Sequence, residues 1–223
     1  GSVWELADRP LDEKIVRMYM LDLTNALKYC HDMGVCHRDL RTENLLLDDS
    51  GNLKITDFGH ARIFQKGWDL YKTSFVGDLY HLSPEQVENR AYSGIKVDIW
   101  SVGIILYRLI VGHPPFVPVN GDVETMLSHI SAGKFQIPDF VSDDAKDLIT
   151  SLINVDPDKR MALDAVLKHK WMLGKMQKIS LSTYSFSMGV HSEALNWISH
   201  CRKPLKRILT SLDVISYPGS KSN

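Results

Sequence analysis

The sequence predicts a mainly α-helical fold, a bundle of helices with one short β-hairpin set into it, and three observations carry that expectation. The chain has 223 residues, 44% of them hydrophobic, enough to bury a full core. Patterns of helical length recur over residues 12–33, 97–111, 122–131, 142–153 and 162–170. One stretch alone reads as paired strands: Leu45-Leu46-Leu47 and Leu53-Lys54-Ile55 have strand length, and Asp48-Asp49-Ser50-Gly51-Asn52 between them has turn chemistry.

In chain order, Val3-Trp4-Glu5-Leu6 fits the last turns of a helix that ends before Pro10. From Asp12, an N-cap, to Met33 the polar residues Lys14, Arg17, Asn25, Lys28 and Asp32 fall on one narrow stripe, which predicts a mostly buried helix; Gly34 stops it. A polar run, His37 to Asn44, and Asp57-Phe58-Gly59 then flank the hairpin and so come to one end of it, bringing Asp39, Asn44 and Asp57 together. Two carboxylates and an amide at one point suit a hard cation such as Mg2+, usually shared with substrate phosphates. Residues His60 to Ser83 have weak periodicity and several hydroxyls, which reads as a functional loop without regular elements. Val97 to Val111 is apolar nearly all round, broken by Asp98, Ser101 and Arg108, and ends at Gly112 with Pro114-Pro115; it is a core helix whose Asp98 needs partners. Ser142, followed by Asp143 and Asp144, is a well-formed helix start.

Net charge of −1 argues against a nucleic-acid-binding surface as the main function. Cys30, Cys36 and Cys201 are odd in number and show no CxxC spacing, which fits a reducing compartment, so an intracellular, cytoplasmic protein is expected. No run of about eighteen apolar residues occurs, and neither a membrane span nor a secretory leader is expected.

His37-Arg38-Asp39-Leu40, reaching Asn44, then Asp57-Phe58-Gly59, Ser83-Pro84-Glu85, the helix opening Asp98-Ile99-Trp100-Ser101, and Asp156 to Arg160 together resemble the C-terminal, helical lobe of a eukaryotic protein kinase. The likeness is closest in flavour to the calcium/calmodulin-dependent and AMP-activated groups. It implies a kinase C-lobe over residues 11–172, whose hairpin carries the catalytic loop. Residues 1–10 would end a linker or helix from an N-lobe absent from this sequence, and 173–223 would be a basic C-terminal extension.

On the same resemblance, Asp39 is the catalytic aspartate that orients the substrate hydroxyl or takes its proton, and Arg41 stands where a lysine steadies the transferring phosphate. Asn44 and Asp57 hold Mg2+ against ATP. Asp98 anchors the catalytic loop by accepting its backbone N–H groups, Arg160 pairs with Glu85, and Arg38 receives an activating phosphate on Thr73 or Ser74. The Glu43-Asn44 pair and the absence of tyrosine-kinase signatures favour transfer to Ser or Thr. Partners implied are a protein substrate, an upstream activating kinase and, through apolar surface left uncovered, a second copy of the chain.

Several features depart from that pattern. No glycine-rich loop, strand lysine or helix glutamate precedes Val3, so the 223 residues alone are expected to bind ATP weakly and to be inactive. Asp78 and His81 replace the usual threonine and tyrosine; Asp78 either pairs with Arg41 or crowds Asp39. His60 follows Asp-Phe-Gly. The alternative is a degenerate interaction module that binds a protein without catalysis. In the tail, Glu193 to Ile215 has apolar Trp197, Ile198 and Leu205 beside basic Arg202, Lys203 and Lys206. It is either a calmodulin-type or autoinhibitory element, or a tail packed with its charges in water.

Overall fold

The long helix α1, Glu13–Asp32, begins where Asp12 adopts an extended backbone and its carboxylate accepts the Lys14 N–H at 2.8 Å. The computed structural model describes residues 1–64, 70–71 and 79–174. Thr73, Ser74, Asp78 and the chain from residue 175, including the 193–215 pattern, lie outside the described residues.

Ahead of α1, Val3–Leu6 forms a 3-10 turn rather than the end of an α-helix. Its cause lies beside it: Ser2 bridges to Leu46, and the Leu47 N–H donates to the Gly1 carbonyl at 2.9 Å, so the preceding backbone is held extended against the hairpin. Val3 and Ala7 are fully buried there.

Val16, Tyr19, Met20, Leu23, Thr24 and Leu27 form the buried stripe of α1. Arg17 departs from its sequence assignment to the solvent stripe. It is buried, lies over the Trp171 ring with its guanidinium carbon 5.0 Å from the ring centroid, and donates from Nε to the Trp171 carbonyl. Gly34 follows at φ +75, and a Cβ there would stand 2.8 Å from the Phe64 carbonyl, so neither the turn nor the space admits a side chain.

Among the described residues, three two-stranded antiparallel ribbons follow. β1, Val35–Cys36, pairs with β4, Arg62–Ile63; β2, Leu45–Leu47, pairs with β3, Leu53–Ile55; β5, Leu70–Tyr71, pairs with β6, Tyr92–Ser93. In the central hairpin Leu45 faces Ile55 and Leu47 faces Leu53, and Asp48 builds the turn by accepting the Ser50 and Asn52 N–H groups at 3.0 and 2.9 Å. β4 and β5 fall inside the stretch expected to lack regular elements. Two residues are too few to leave a period, and their ladders come from distant partners.

α2, Pro84–Val87, starts in a capping box between Ser83 and Gln86. α3, Gly94–Val111, runs through the core: from Val97 to Val111 every residue is buried. Gly103 lets the Leu152-Ile153 stretch approach, since a Cβ would lie 2.7 Å from Ile153 and 2.8 Å from Leu152. Trp100 stacks on Phe116 at 5.9 Å between ring centroids, and Phe135 meets Phe116 edge-on.

α4, Val123–Ala132, and α5, Asp143–Leu152, start on Asp122 and Ser142. α6 spans Leu163–Val166 only, shorter than the helix expected over 162–170. Beyond it the backbone tightens into 3-10-type turns, the Lys168 N–H donating to the Ala165 carbonyl at 3.1 Å and the His169 N–H to the Val166 carbonyl at 3.0 Å. His169 Nδ1 then accepts the Trp171 N–H at 3.2 Å, and the Trp171 ring lies in the core at 1% exposure. Glu13 seals this end: its carboxylate accepts from the Ser142 N–H, the Ser142 hydroxyl and Trp171 Nε1 at 2.9, 2.7 and 2.8 Å.

Among the described residues, no helix is long and apolar enough to cross a membrane.

Candidate active site

The loop His37–Asn44 is fastened from below by Asp98. Fully buried in the first turns of α3, its carboxylate accepts the backbone N–H of His37 at 2.8 Å and of Arg38 at 2.7 Å, and His31 Nε2 donates to it at 2.8 Å. These three donors answer the desolvation of a buried carboxylate. Arg38 takes φ +67, in the left-handed region, so the loop turns sharply at the point where Asp98 grips it. Its guanidinium is buried, with Nε donating to the His60 carbonyl at 2.8 Å and one terminal nitrogen 3.5 Å from the Tyr92 hydroxyl.

His37 turns inward. Its Nε2 donates to the Thr56 carbonyl at 3.0 Å, its Nδ1 accepts the Asp39 N–H at 3.3 Å, and Phe58 meets its ring edge-on at 4.8 Å. Asp39 and Asn44 are in direct contact: Asn44 Nδ2 donates to the Asp39 carbonyl at 2.9 Å and lies 3.4 Å from Asp39 Oδ2. Thr56 holds the Asn44 carbonyl twice, through its N–H at 2.9 Å and its hydroxyl at 3.0 Å.

Asp57 follows Thr56 at φ +60, is exposed, and accepts the Gly59 N–H at 3.2 Å. No hydrogen bond ties Asp57 to Asp39 or Asn44 directly; Thr56 makes the connection. Because Asn44 spends its Nδ2 on Asp39, its oxygen is the group left for a cation, and one Asp57 oxygen is bonded only to Gly59 among the described residues. Among those residues no three His, Cys, Asp or Glu side chains gather into a protein-only metal site. An exposed carboxylate with a neighbouring amide oxygen fits Mg2+, which keeps waters and borrows phosphate oxygens.

Arg41 donates from Nε to Glu43 Oε2 at 3.0 Å, and Arg108 on α3 reaches Glu43 Oε1 at 3.4 Å. Burial pushes the Glu43 carboxyl up, but its backbone N–H and the arginines Arg41 and Arg108 outweigh burial and hold it below the ordinary 4.5. The folded value being the lower one, the stabilisation is present above the unfolded value and is lost as pH falls through the folded value. Urea unfolding from about pH 6 down to about pH 3 is expected to fall less steeply for Glu43→Gln than for the native chain. Superimposable pH profiles would contradict that linkage.

Farther off, Glu85 and Arg160 form a bidentate pair with both contacts at 2.7 Å, their side chains 3% and 0% exposed. Arg160 also donates to the Asn154 and Lys96 carbonyls and lies 5.0 Å over the Trp100 ring. The pair fixes α2 to the turn at residues 156–160, and Arg160 in turn reaches Lys96 and Trp100 on α3. His31, Thr56 and Tyr92 were not singled out from sequence. Thr56 has the clearest signal, as the residue before Asp57; His31 has none beyond its place in the last turn of α1.

Residues 1–172 match the family model described as protein kinase domain. The chain is 36% identical over 190 residues to serine/threonine-protein kinase SIK2 of Gallus gallus, a stretch covering 82% of this chain and 23% of that protein. It is 37% identical over 174 residues to CBL-interacting serine/threonine-protein kinase 8 of Arabidopsis thaliana, 78% of this chain and 38% of that one. With serine/threonine-protein kinase ppk25 of Schizosaccharomyces pombe the identity is 39% over 168 residues, 75% and 39%. The aligned part of this chain thus spans well under half the length of each of these relatives.

Proposed function

The chain belongs to the protein kinase domain family, and on that premise we propose that it is the C-lobe part of a serine/threonine kinase, which transfers phosphate from Mg-ATP to a protein hydroxyl. Chief support comes from the Asp39–Asn44 contact, which Thr56 braces immediately before Asp57. Three oxygen-bearing side chains stand at one end of a rigid hairpin, as positioning and electrostatic catalysis require.

In this reading Asp39 orients the acceptor hydroxyl and takes its proton, and Arg41 balances charge on the moving phosphoryl group. Asn44 and Asp57 hold Mg2+, which neutralises phosphate charge when bound. Asp98, with Arg38 above it, keeps the loop in shape, and Glu85 with Arg160 secures the far end of the 60–83 segment. An upstream kinase phosphorylates Thr73 or Ser74 and Arg38 receives the phosphate. Residues 11–172 are the C-lobe and 173–223 a basic extension, in a cytoplasmic setting. Exposed Ile63 and Phe58 near the hairpin provide apolar surface for self-association.

Residues 1–223 hold no glycine-rich phosphate loop and no lysine ahead of Val3 to grip ATP, so by themselves they are inert. Calorimetric titration of the 223 residues with Mg-ATP is expected to give no micromolar binding; such binding would sink this part of the proposal. Joined to an ATP-gripping N-lobe, the chain phosphorylates Ser/Thr peptides, and Asp57→Ala lowers the rate by about a hundredfold or more, the scale of one lost charge-stabilising group. Undiminished transfer by that variant would refute the metal assignment.

A further inference from the structure

Arg108 is an odd residue for its place. It stands among apolar neighbours on α3, is 9% exposed, and its Nε finds no acceptor among the described residues. Its guanidinium makes two long contacts, 3.4 Å to Glu43 Oε1 and 3.7 Å to Asp8 Oδ1. A buried arginine with an unpaired N–H and two long ion-pair contacts gains little for its own burial. What it does do is occupy one oxygen of Glu43.

The Glu43 carboxylate is divided. Oε2 accepts Arg41 Nε at 3.0 Å and the Thr42 hydroxyl at 3.2 Å, while Oε1 faces Arg108. The two oxygens are thus shared between two arginines, Oε2 with Arg41 and Oε1 with Arg108. With Oε1 taken, Glu43 binds Arg41 through a single oxygen.

We propose that Arg108 is a positioning residue: by holding Oε1 it fixes the carboxylate plane of Glu43, and through Glu43 it sets where the Arg41 guanidinium sits, two residues from Asp39. The proposal rests on Arg41 belonging to the phosphoryl-transfer machinery. Asp8 ties the same guanidinium to the first ten residues, so the segment entering the lobe and the loop carrying Asp39 share one cation.

The test is side-chain NMR of the full 223-residue chain, following the Arg41 Nε–H and the Glu43 carboxyl carbon, with the His37 and Arg38 amides as a control on the loop. Arg108→Met is expected to shift both side-chain signals and leave the two amides in place. Arg108→Lys, which restores the charge, is expected to move them back toward the native positions. Native Arg41 and Glu43 signals in a folded Arg108→Met chain would overturn the proposal. So would an unfolded Arg108→Met chain, which would make Arg108 a stabilising residue, and so would equal shifts in both variants. Failure of the kinase reading is detected separately, by the Asp57→Ala transfer assay, and leaves these resonances unaffected.

Discussion

Arg160→Met in the 223-residue chain lowers the free energy of unfolding by about 3–5 kcal/mol. The substitution leaves the Glu85 carboxylate, 3% exposed, without the guanidinium that supplies both of its short hydrogen bonds. It also removes the contact over Trp100 and the donors to the Asn154 and Lys96 carbonyls. Against a typical total stability of about 5–15 kcal/mol, that is a large share. Urea unfolding measures it; a loss within the roughly 1 kcal/mol typical of exposed pairs would mean that water reaches the pair. Replacing Glu85 and Arg160 together by apolar residues is expected to cost less than Arg160→Met alone, because no charge is then stranded.

Asp98→Asn produces the second large effect, a local one. The native carboxylate accepts from three directions, whereas an asparagine must point its amide hydrogens at one of those donors. Each lost bond to a charged acceptor is worth about 1.5–3 kcal/mol, and Arg38 at φ +67 is released from the grip that holds it there. Exchange of the His37 and Arg38 amides is expected to quicken by about ten- to a hundredfold, with the hairpin and α5 amides much less affected. Uniform quickening across the lobe would point to global destabilisation instead, and unchanged exchange would mean that Asp98 is not the anchor.

The parts legible in sequence are those whose causes are local. The Leu45–Leu47 and Leu53–Ile55 strands stand out because a five-residue turn separates them, and α3 because its apolar run is unbroken over many residues. Illegible parts depend on distant partners. Arg17 looks like a solvent residue until Trp171, 154 positions away, supplies an acceptor and a ring. His31 is one more polar group on a helix until Asp98, 67 positions on, takes its proton-bearing nitrogen. β4 and β5 are visible only through their partners β1 and β6. α6 is shorter than its pattern suggests because the backbone after Val166 tightens into i→i−3 turns at Lys168 and His169, which a side-chain period does not distinguish from a continuing helix.

The seal that Glu13 and Arg17 make with Trp171 bears on how the chain folds as it is made. Its contacts join Arg17 and Glu13, at the start of α1, to one residue, Trp171, 154 and 158 positions later. During synthesis α1, the hairpin and α3 leave the ribosome before Trp171 does, with Glu13 and Arg17 still lacking the contacts it supplies. These contacts form only once Trp171 has been translated, so the chain from α1 to Trp171 must emerge before it can latch. A chain ending after Leu173 keeps the latch, whereas one ending at Lys170 emerges with its first helix permanently ajar.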